Sequence, residues 1–445
     1  MSRGYPPVPV DVRSATCERR PHEDGASGAE PMMRVVVAGG GIGGLALAQG
    51  LLRRGYAVTV VEPDVDLART GGYKLHLGPT ALAALETLLP GERHELLLGS
   101  SMGSEDFRIA VRDHRGRLLV RASDDQGPGT SVEIDRVTLR LVLAEGLGSA
   151  LRTGLRVVGH RTVRQLVEVD LDDGTSLEAD LLVLADGAGS ELAAALAGSP
   201  TSTPTGLVGV AGRTPWASLP EGAQALVRED PMLAVGPAGA GLFASLHDPR
   251  GRPAHVGVRS LARTTEPVVI WGFLGTEGLL PERLKEVPPS DLVDRVTQVL
   301  GERSWADATL DLLTWSDRRT VGGFRFLAAD PAGIAPWSAG PVTAIGDAVH
   351  AMPPTGGQGA ATAVRDAAAL VEELGRAGAS TGVVGAVAAY ERRMREYAAR
   401  AVNDSLEPVS WIRRSATPSG RLVLRLALPV AAGAAALARG LRRSG

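Results

Sequence analysis

The sequence has 445 residues, of which 44% are hydrophobic, and a formal net charge of −3 at neutral pH. This length and apolar content predict a folded chain with room for more than one buried core. The small net charge gives no basis for a nucleic-acid partner, and an aromatic content of 4% argues against a series of base-stacking side chains.

The single cysteine and the first 31 residues bear on location. Cys17 has no partner for an internal disulfide, and no Cys/His cluster offers zinc-ligand spacing, so no metal site is expected. A reducing, cytoplasmic location is favoured. Residues 1–31 are polar and lack the apolar core of a signal peptide, so we interpret them as a disordered tail. Met32 and Met33 lie just before the first predicted strand and are candidates for a shorter natural start.

The first predicted elements form a β-α-β unit, followed by a helix and a hairpin. Apolar runs predict strands over 34–38 and 57–61, with a helix over 43–54 between them. Leucine spacing predicts a helix over 79–89. Residues 107–122 alternate around a turn and predict a hairpin, and Asp135 is placed to cap a helix that runs to about Leu147.

The second half of the chain begins with strands and ends with helices. Short strands are predicted over 155–185, with a buried one at 181–184. Strand signals then dominate 206–274, with candidates at 208–210, 233–235, 242–246, 255–258 and 268–274, which predicts an inserted, mainly β layer. A helix over 290–303, a buried strand over 342–345, and helices over 357–374 and 383–401 follow. Residues 421–443 predict a helix that packs on the body or, less favourably, contacts anionic membrane.

A glycine-rich motif follows the first predicted strand. It matches G-x-G-x-x-G and consists of Gly39, Gly40, Gly41, Ile42, Gly43 and Gly44. Gly39 is expected to make a tight turn, Gly41 to let a pyrophosphate approach, and Gly44 to let the helix pack on the strand. The helix N-terminus offers free N–H groups to the phosphates. Glu62 ends the second strand, 18 residues after Gly44, where an acid binds a ribose 2′-hydroxyl. The motif by itself does not separate FAD from NAD.

A second candidate site follows the strand at 342–345. Gly346 and Asp347 lead through a Pro/Gly-rich loop into a helix that begins near Gly359 and Ala360. Asp347 is able to accept hydrogen bonds from ribityl hydroxyls. The helix N-terminus favours a group that becomes negative, as a reduced flavin does.

Together these segments resemble the FAD-dependent aromatic hydroxylase family, which includes p-hydroxybenzoate and salicylate hydroxylases, over residues 34–400. The glycine motif, an Asp-Gly motif at Asp186 and the segment at Asp347 occur in the family's order. The resemblance implies that Asp186 serves FAD and the nicotinamide cofactor, and that Arg136 contacts FAD. Residues 72–77 resemble the segment that passes near the flavin.

The resemblance implies a function. It implies an FAD-dependent monooxygenase that uses NAD(P)H and O2 to hydroxylate a small aromatic or polyketide-like substrate through a C4a-hydroperoxyflavin. A second G-x-G-x-x-G motif is absent from the sequence, so NAD(P)H is expected to bind transiently. Two positions depart from the family pattern, since Ala193 stands in place of an arginine and Ala361 in place of an asparagine. A non-oxygenating dehydrogenase or reductase of the same fold, or a flavin-binding sensor without turnover, are the alternatives.

We therefore predict an α/β (α+β) fold with a Rossmann-like FAD-binding domain, an inserted β-sheet substrate domain and C-terminal helices. The FAD-binding domain is assigned to 32–105, 130–200 and 320–400. The substrate layer is assigned to 106–129 and 201–319, and the C-terminal helices to 401–445.

Five further side chains have interpretations that stay open, and no catalytic residue is assigned. His350 is more readily a histidine that satisfies its loop than a catalytic one, and His76 is a candidate for proton handling near the flavin. Trp271 and Phe273 share one face of a predicted strand and either line a substrate pocket or pack in the core. Arg213 is a candidate partner for an anionic substrate.

Overall fold

The computed structural model describes residues 32–68, 74–104, 108–123, 131–164, 166–250 and 259–417. The predictions for residues 1–31, 72–73, 255–258 and 421–443 lie outside these described residues.

The described part of the chain contains both helices and strands. The strands are β1 (Arg34–Ala38), β2 (Ala57–Glu62), β3 (Lys74–Leu77), β4 (Met102–Ser104), β5 (Arg108–Asp113), β6 (Leu118–Ser123), β7 (Ser131–Asp135), β8 (Leu151–Thr153), β9 (Val157–Val163), β10 (Leu166–Leu171), β11 (Ser176–Ala179), β12 (Leu181–Leu184), β13 (Thr203–Pro215), β14 (Met232–Val235), β15 (Ala240–His247), β16 (Val268–Thr276), β17 (Asp317–Ala328) and β18 (Val342–Ala344). The helices are α1 (Ile42–Arg53), α2 (Pro79–Leu88), α3 (Gly91–Gly99), α4 (Arg136–Ala144), α5 (Glu191–Ala197), α6 (Glu221–Val227), α7 (Pro289–Gly301), α8 (Asp307–Thr314), α9 (Asp347–His350), α10 (Gly359–Arg376) and α11 (Gly378–Ser415). Helix α11 is interrupted at Gly382, where φ is 61°.

A five-stranded parallel sheet has the order β18-β12-β1-β2-β8. Strand β12 is buried along its whole length and β1 along most of it, which explains why short apolar runs predicted both. Helix α1 packs against α2, α4 and α10, so that the sheet and these helices share one buried core. Because all five strands are parallel, their carboxyl ends lie along one edge.

A seven-stranded sheet has the order β17-β13-β16-β15-β14-β5-β6, and only β14 and β5 run parallel among its neighbours. One face of this sheet packs with α6, α7 and α8 into a second core. Trp271 and Phe273 lie in that core, at 1% and 0% exposure, so of their two interpretations core packing is the observed one. The predicted α/β architecture with a second, mainly β layer is confirmed, while the domain boundaries stay a prediction.

The sequence patterns missed several elements of this layer. Helices α6 and α8 and strand β17 were not predicted, and the helix capped by Asp135 ends at Ala144 rather than near Leu147. Gly146 has φ 73°, a left-handed conformation that stops a helix.

Two small antiparallel sheets, β3-β7-β4 and β11-β10-β9, complete the fold. Among the described helices, none has the length and apolar character needed to cross a membrane.

Candidate functional site

Four predicted site segments lie at the carboxyl ends of four neighbouring parallel strands. Asp347 follows β18, Asp186 follows β12, the glycine motif follows β1, and Glu62 ends β2. Ligands of open α/β sheets bind at this edge, where the strand order reverses. Residues that are up to about 300 positions apart in the chain are therefore brought to one place.

The three key glycines of the motif differ in what surrounds them. A Cβ built on Gly39, whose φ is 114°, would lie 2.3 Å from the carbonyl oxygen of Ala185, and one on Gly44 would lie 2.1 Å from the carbonyl oxygen of Gly39. These two glycines are therefore required by the close approach of strands and helix. A Cβ on Gly41 would meet only the oxygen of Ala185, at 3.9 Å. Internal packing does not explain Gly41, which is what the approach of a pyrophosphate predicts.

The N-terminus of α1 is suited to an anion. No side chain caps it, and its first turn carries no acidic residue. A helix start of this kind offers backbone N–H groups and the positive end of the helix dipole. Gly43 in the first turn lies against Ala363 of α10, so the starts of the two helices lie close together.

Glu62 is buried at 5% exposure and held by the protein on both carboxylate oxygens. Its Oε2 accepts from the backbone N–H of Gly40 at 2.6 Å, and its Oε1 accepts from the N–H of Asp64 at 2.8 Å. The guanidinium of Arg140 lies 3.1 Å from Oε2. The acid predicted for a ribose is thus fixed next to the glycine motif.

Asp347 and Asp186 both present a carboxylate at the carboxyl edge of the parallel sheet. Both residues are partly open to solvent. The surrounding protein nevertheless displaces some of the water around each carboxyl, which raises its pKa. The charges of His350 and Arg136 lower the pKa of Asp347, and Ser190 donates to Asp186 at 2.8 Å. A carboxylate in such surroundings fits a ligand that offers hydroxyl donors.

Other predicted residues lie beside Asp347. Gly359 opens α10, and a Cβ built on it would lie 3.8 Å from Asp347 Oδ1. Ala360 is the next residue of that first turn and is partly exposed. Arg136 opens α4 directly after its cap, Asp135, and is near enough to Asp347 to lower the pKa of that carboxyl. The structure thus gathers both predicted flavin segments and the predicted arginine.

A buried network supports the loop that carries Asp347. Asp366 Oδ2 accepts from the N–H of Gly346 at 2.8 Å and lies 2.6 Å from Nε2 of His350, while Asp366 Oδ1 accepts from the hydroxyl of Tyr397 at 2.7 Å. His350 and Asp366 are both fully buried. This is the arrangement expected of a histidine that satisfies its loop.

The two departures from the family pattern occupy different surroundings. Ala193 is completely buried in α5, so a side chain at this position faces the core. Ala361 is partly exposed in the first turn of α10, where the backbone remains as the polar group.

The seven-stranded sheet contacts the β3-β7-β4 sheet through polar side chains. On the face opposite the helices, Arg213 of β13 forms an ion pair with Asp135 of β7, and within the smaller sheet Lys74 of β3 forms one with Glu133 of β7. Lys74 also donates to Ser245 Oγ at 3.0 Å. Arg213, a candidate partner for an anionic substrate, thus has a carboxylate partner within the protein.

Comparison with known proteins agrees with this geometry. Residues 288–405 match the model of the family described as FAD binding domain. The chain is 30% identical to a chloroplastic zeaxanthin epoxidase of Oryza sativa subsp. japonica over 342 residues, which are 73% of this chain and 46% of the relative. The chain spans about half the length of the curated relatives it matches first.

Solved structures share this fold over most of the chain. A putative FAD-containing monooxygenase from Photorhabdus luminescens subsp. laumondii superimposes with a TM-score of 0.70 at 25% identity, over 85% of this chain and 97% of the other. The chain is similar in sequence and in fold to FAD-dependent monooxygenases. A 2,6-dihydroxypyridine-3-hydroxylase from Arthrobacter nicotinovorans, with a TM-score of 0.69 at 18% identity over 86% and 94% of the two chains, shares the fold.

The predicted resemblance to FAD-dependent hydroxylases and the FAD-binding fold are therefore confirmed, whereas the roles of individual residues in this chain stay predictions. Sequence reasoning missed Arg140 and Asp366, which hold Glu62 and the Asp347 loop in place. Each is a charged residue among the mostly apolar buried residues of its helix. That pattern, a charge at a core position, was the available signal for both.

Proposed function

We propose that this protein is an FAD-dependent monooxygenase that uses NAD(P)H and O2 to hydroxylate a small aromatic or polyketide-like substrate. The observation that carries the proposal is the convergence of four FAD-type segments at the carboxyl edge of one parallel sheet. Gly41 adds to it, because the space beside this glycine is left open by the protein.

Each segment has a task toward FAD in this proposal. Gly41 and the N-terminus of α1 bind the pyrophosphate, and Glu62 accepts from the adenosine ribose. Asp347 accepts from the ribityl hydroxyls, and the N-terminus of α10 at Gly359 stabilises negative charge on the ring system. When bound, FAD supplies the hydride acceptance and the O2 activation that protein side chains lack.

We assign the substrate to the face of the seven-stranded sheet that lies opposite α6, α7 and α8. Gly322, Ala211 and Gly272 are in register on three neighbouring strands of this face. A Cβ on Gly272 or Gly322 would meet nothing within 4 Å, and neither has a positive φ, so neither crowding nor backbone conformation requires these glycines. Glycine inside a strand is typical of a place that a ligand approaches closely.

The polar groups on this face favour a neutral substrate. Arg213 and Lys74 already pair with carboxylates, which leaves neither with an uncompensated charge. His247 lies on the same face at 3% exposure, and its Nδ1 is without a hydrogen-bond partner among the described residues. Burial and the charge of Lys74 lower the pKa of His247 to about 4. A neutral imidazole accepts a hydrogen bond from a hydroxyl, as a phenol would offer.

The test begins with the absorption spectrum of the purified protein, before and after addition of FAD. NADH and NADPH oxidation and O2 consumption are then measured with a panel of phenols, and with zeaxanthin because the rice relative is named an epoxidase. Flavin bands with substrate-stimulated oxidation and an oxygenated product would support the proposal. Stimulated oxidation without an oxygenated product would instead identify a dehydrogenase or reductase. Flavin without any turnover would favour a sensor, and failure to bind FAD would overturn the proposal altogether.

We also propose a cytoplasmic location, which rests on the single cysteine of a long chain. Labelling of the native protein in intact cells and in a membrane fraction would test it.

A further inference from the structure

Arg140 of α4 connects three separate parts of the adenosine side of the site. Its Nε donates to the carbonyl oxygen of Gly40 at 2.8 Å, and its Nη2 lies 3.1 Å from Oε2 of Glu62. Its Nη1 donates to Oδ2 of Asp64 at 2.8 Å and to the carbonyl oxygen of Leu67 at 3.2 Å. All three guanidinium nitrogens thus have partners within the protein, and the side chain is only 6% exposed.

These contacts determine how Glu62 is able to bind a ligand. A carboxylate has about four lone-pair directions. Oε2 faces both the N–H of Gly40 and the guanidinium of Arg140, and Oε1 accepts from the N–H of Asp64. One acceptor direction on Oε1 is left. Glu62 therefore offers a single oxygen lone pair, in a direction that its three protein partners set.

We propose that Arg140 is a positioning residue for the adenosine half of FAD, which aims the free acceptor of Glu62 at the ribose 2′-hydroxyl. The inference rests on the proposed function of Glu62. Arg140 does not touch the ribose in this proposal, and it acts through the Glu62 carboxylate and the Gly40 peptide.

The shape of the guanidinium is what makes this role specific. A planar fork donates in fixed directions to several acceptors at once, whereas the ammonium of lysine is a point charge on a flexible stem. Asp64, which Arg140 also holds, lines a surface cleft next to Glu62 together with Pro63, Val65 and Asp66. Loss of Arg140 would therefore free both the carboxylate and the chain segment that follows it.

The experiment compares FAD with a 2′-deoxyadenosine analogue of FAD, using the quenching of flavin fluorescence to measure Kd. The wild type should bind the analogue about tenfold or more weakly than FAD, because the hydrogen bond to a charged acceptor is lost. Arg140→Gln should weaken the binding of FAD by a similar factor, and its Kd values for FAD and for the analogue should lie within about twofold of each other. Arg140→Lys should lie between, and it replaces Arg140→Gln should that variant not fold.

Arg395→Gln is the matched control. Arg395 also donates to backbone carbonyls, those of Ile334 and Ala335, and lies near Glu391, but it is remote in sequence from the glycine motif. This control should lower the Tm and keep the wild-type preference for FAD over the analogue.

Each remaining outcome has a defined meaning. If Arg140→Gln weakens both ligands equally and keeps the wild-type preference, Arg140 is merely structural and the inference is wrong. If the wild type itself shows no preference, the ribose role of Glu62 fails, and the inference with it, while FAD binding and the proposed monooxygenase stand. If the wild type does not bind FAD, the proposed function fails instead.

Discussion

Replacing Gly41 and Gly44 with alanine, one at a time, should separate FAD binding from folding. Gly41 has φ −75° and ψ −177°, which any residue adopts, and a Cβ there would have its nearest contact at 3.9 Å. A Gly→Ala change at a compatible position alters the free energy of unfolding by about 1 kcal/mol or less. Gly41→Ala should therefore leave the apoprotein about as stable as the wild type.

The same methyl group should strongly weaken the binding of FAD. It would occupy the side from which the pyrophosphate approaches, and one lost hydrogen bond to a charged group is worth about 1.5–3 kcal/mol. Since about 1.4 kcal/mol corresponds to a factor of ten, the Kd for FAD should rise by roughly 10- to 100-fold.

Gly44→Ala should act in the opposite way. Its Cβ would lie 2.1 Å from the oxygen of Gly39 and 3.2 Å from Val37, so α1 would have to move away from β1. Overpacking of this kind costs about 1–3 kcal/mol, and the cost should appear in urea unfolding of the apoprotein. Flavin fluorescence titration and urea unfolding of both variants form the assay. The reasoning fails if Gly41→Ala binds FAD like the wild type, or if it destabilises the apoprotein as much as Gly44→Ala.

Three further variants test the support of the site. Asp366→Asn should lower the free energy of unfolding by about 3–5 kcal/mol, because it leaves buried His350 without its charged partner. Burial lowers the pKa of His350, but Asp366, Asp347 and a backbone hydrogen bond together raise it more, so the net pKa is above its ordinary value of 6.5. The stability from this pair is therefore present below pH 6.5 and is lost as the pH rises through the raised pKa. In urea unfolding, the loss of stability caused by Asp366→Asn should be larger at about pH 6 than at about pH 9. An equal loss at the two pH values would contradict this assignment. Gly272→Leu should keep the Tm and the FAD affinity but abolish substrate-stimulated NAD(P)H oxidation, because the leucine side chain would enter the space we assign to the substrate. Unchanged stimulation by substrate would refute that assignment. Trp271→Ala should cost about 3–5 kcal/mol of stability without changing the Kd for FAD, because Trp271 packs on the other face of the sheet; a weakened FAD complex would argue against this separation.

Local patterns in the sequence determined the parallel sheet and its motifs. The strands β1 and β12 are buried on both faces, so their apolar runs identified them without reference to partners. The glycine motif was recognisable for the same reason, since a turn and a close helix contact involve residues near one another in the chain. The segments at Glu62 and Asp347 were found because Glu62 ends an apolar strand and Asp347 follows one.

Only the tertiary structure decided which side chains support these segments. Arg140 donates a hydrogen bond to Gly40, which lies 100 residues earlier in the chain, and forms an ion pair with Glu62, and no local spacing encodes either contact. The alternation of β16 showed that Trp271 shares a face with Phe273, but only the packing of α7 and α8 made that face a core. Strand β17 has a glycine pair and several arginines, so its strand character comes from pairing with β13 and not from propensity. Local sequence thus determines strands that are buried on both faces and turns formed by neighbouring residues. The side chains that support the site, and the face of a strand that becomes core, depend on residues that only the fold brings together.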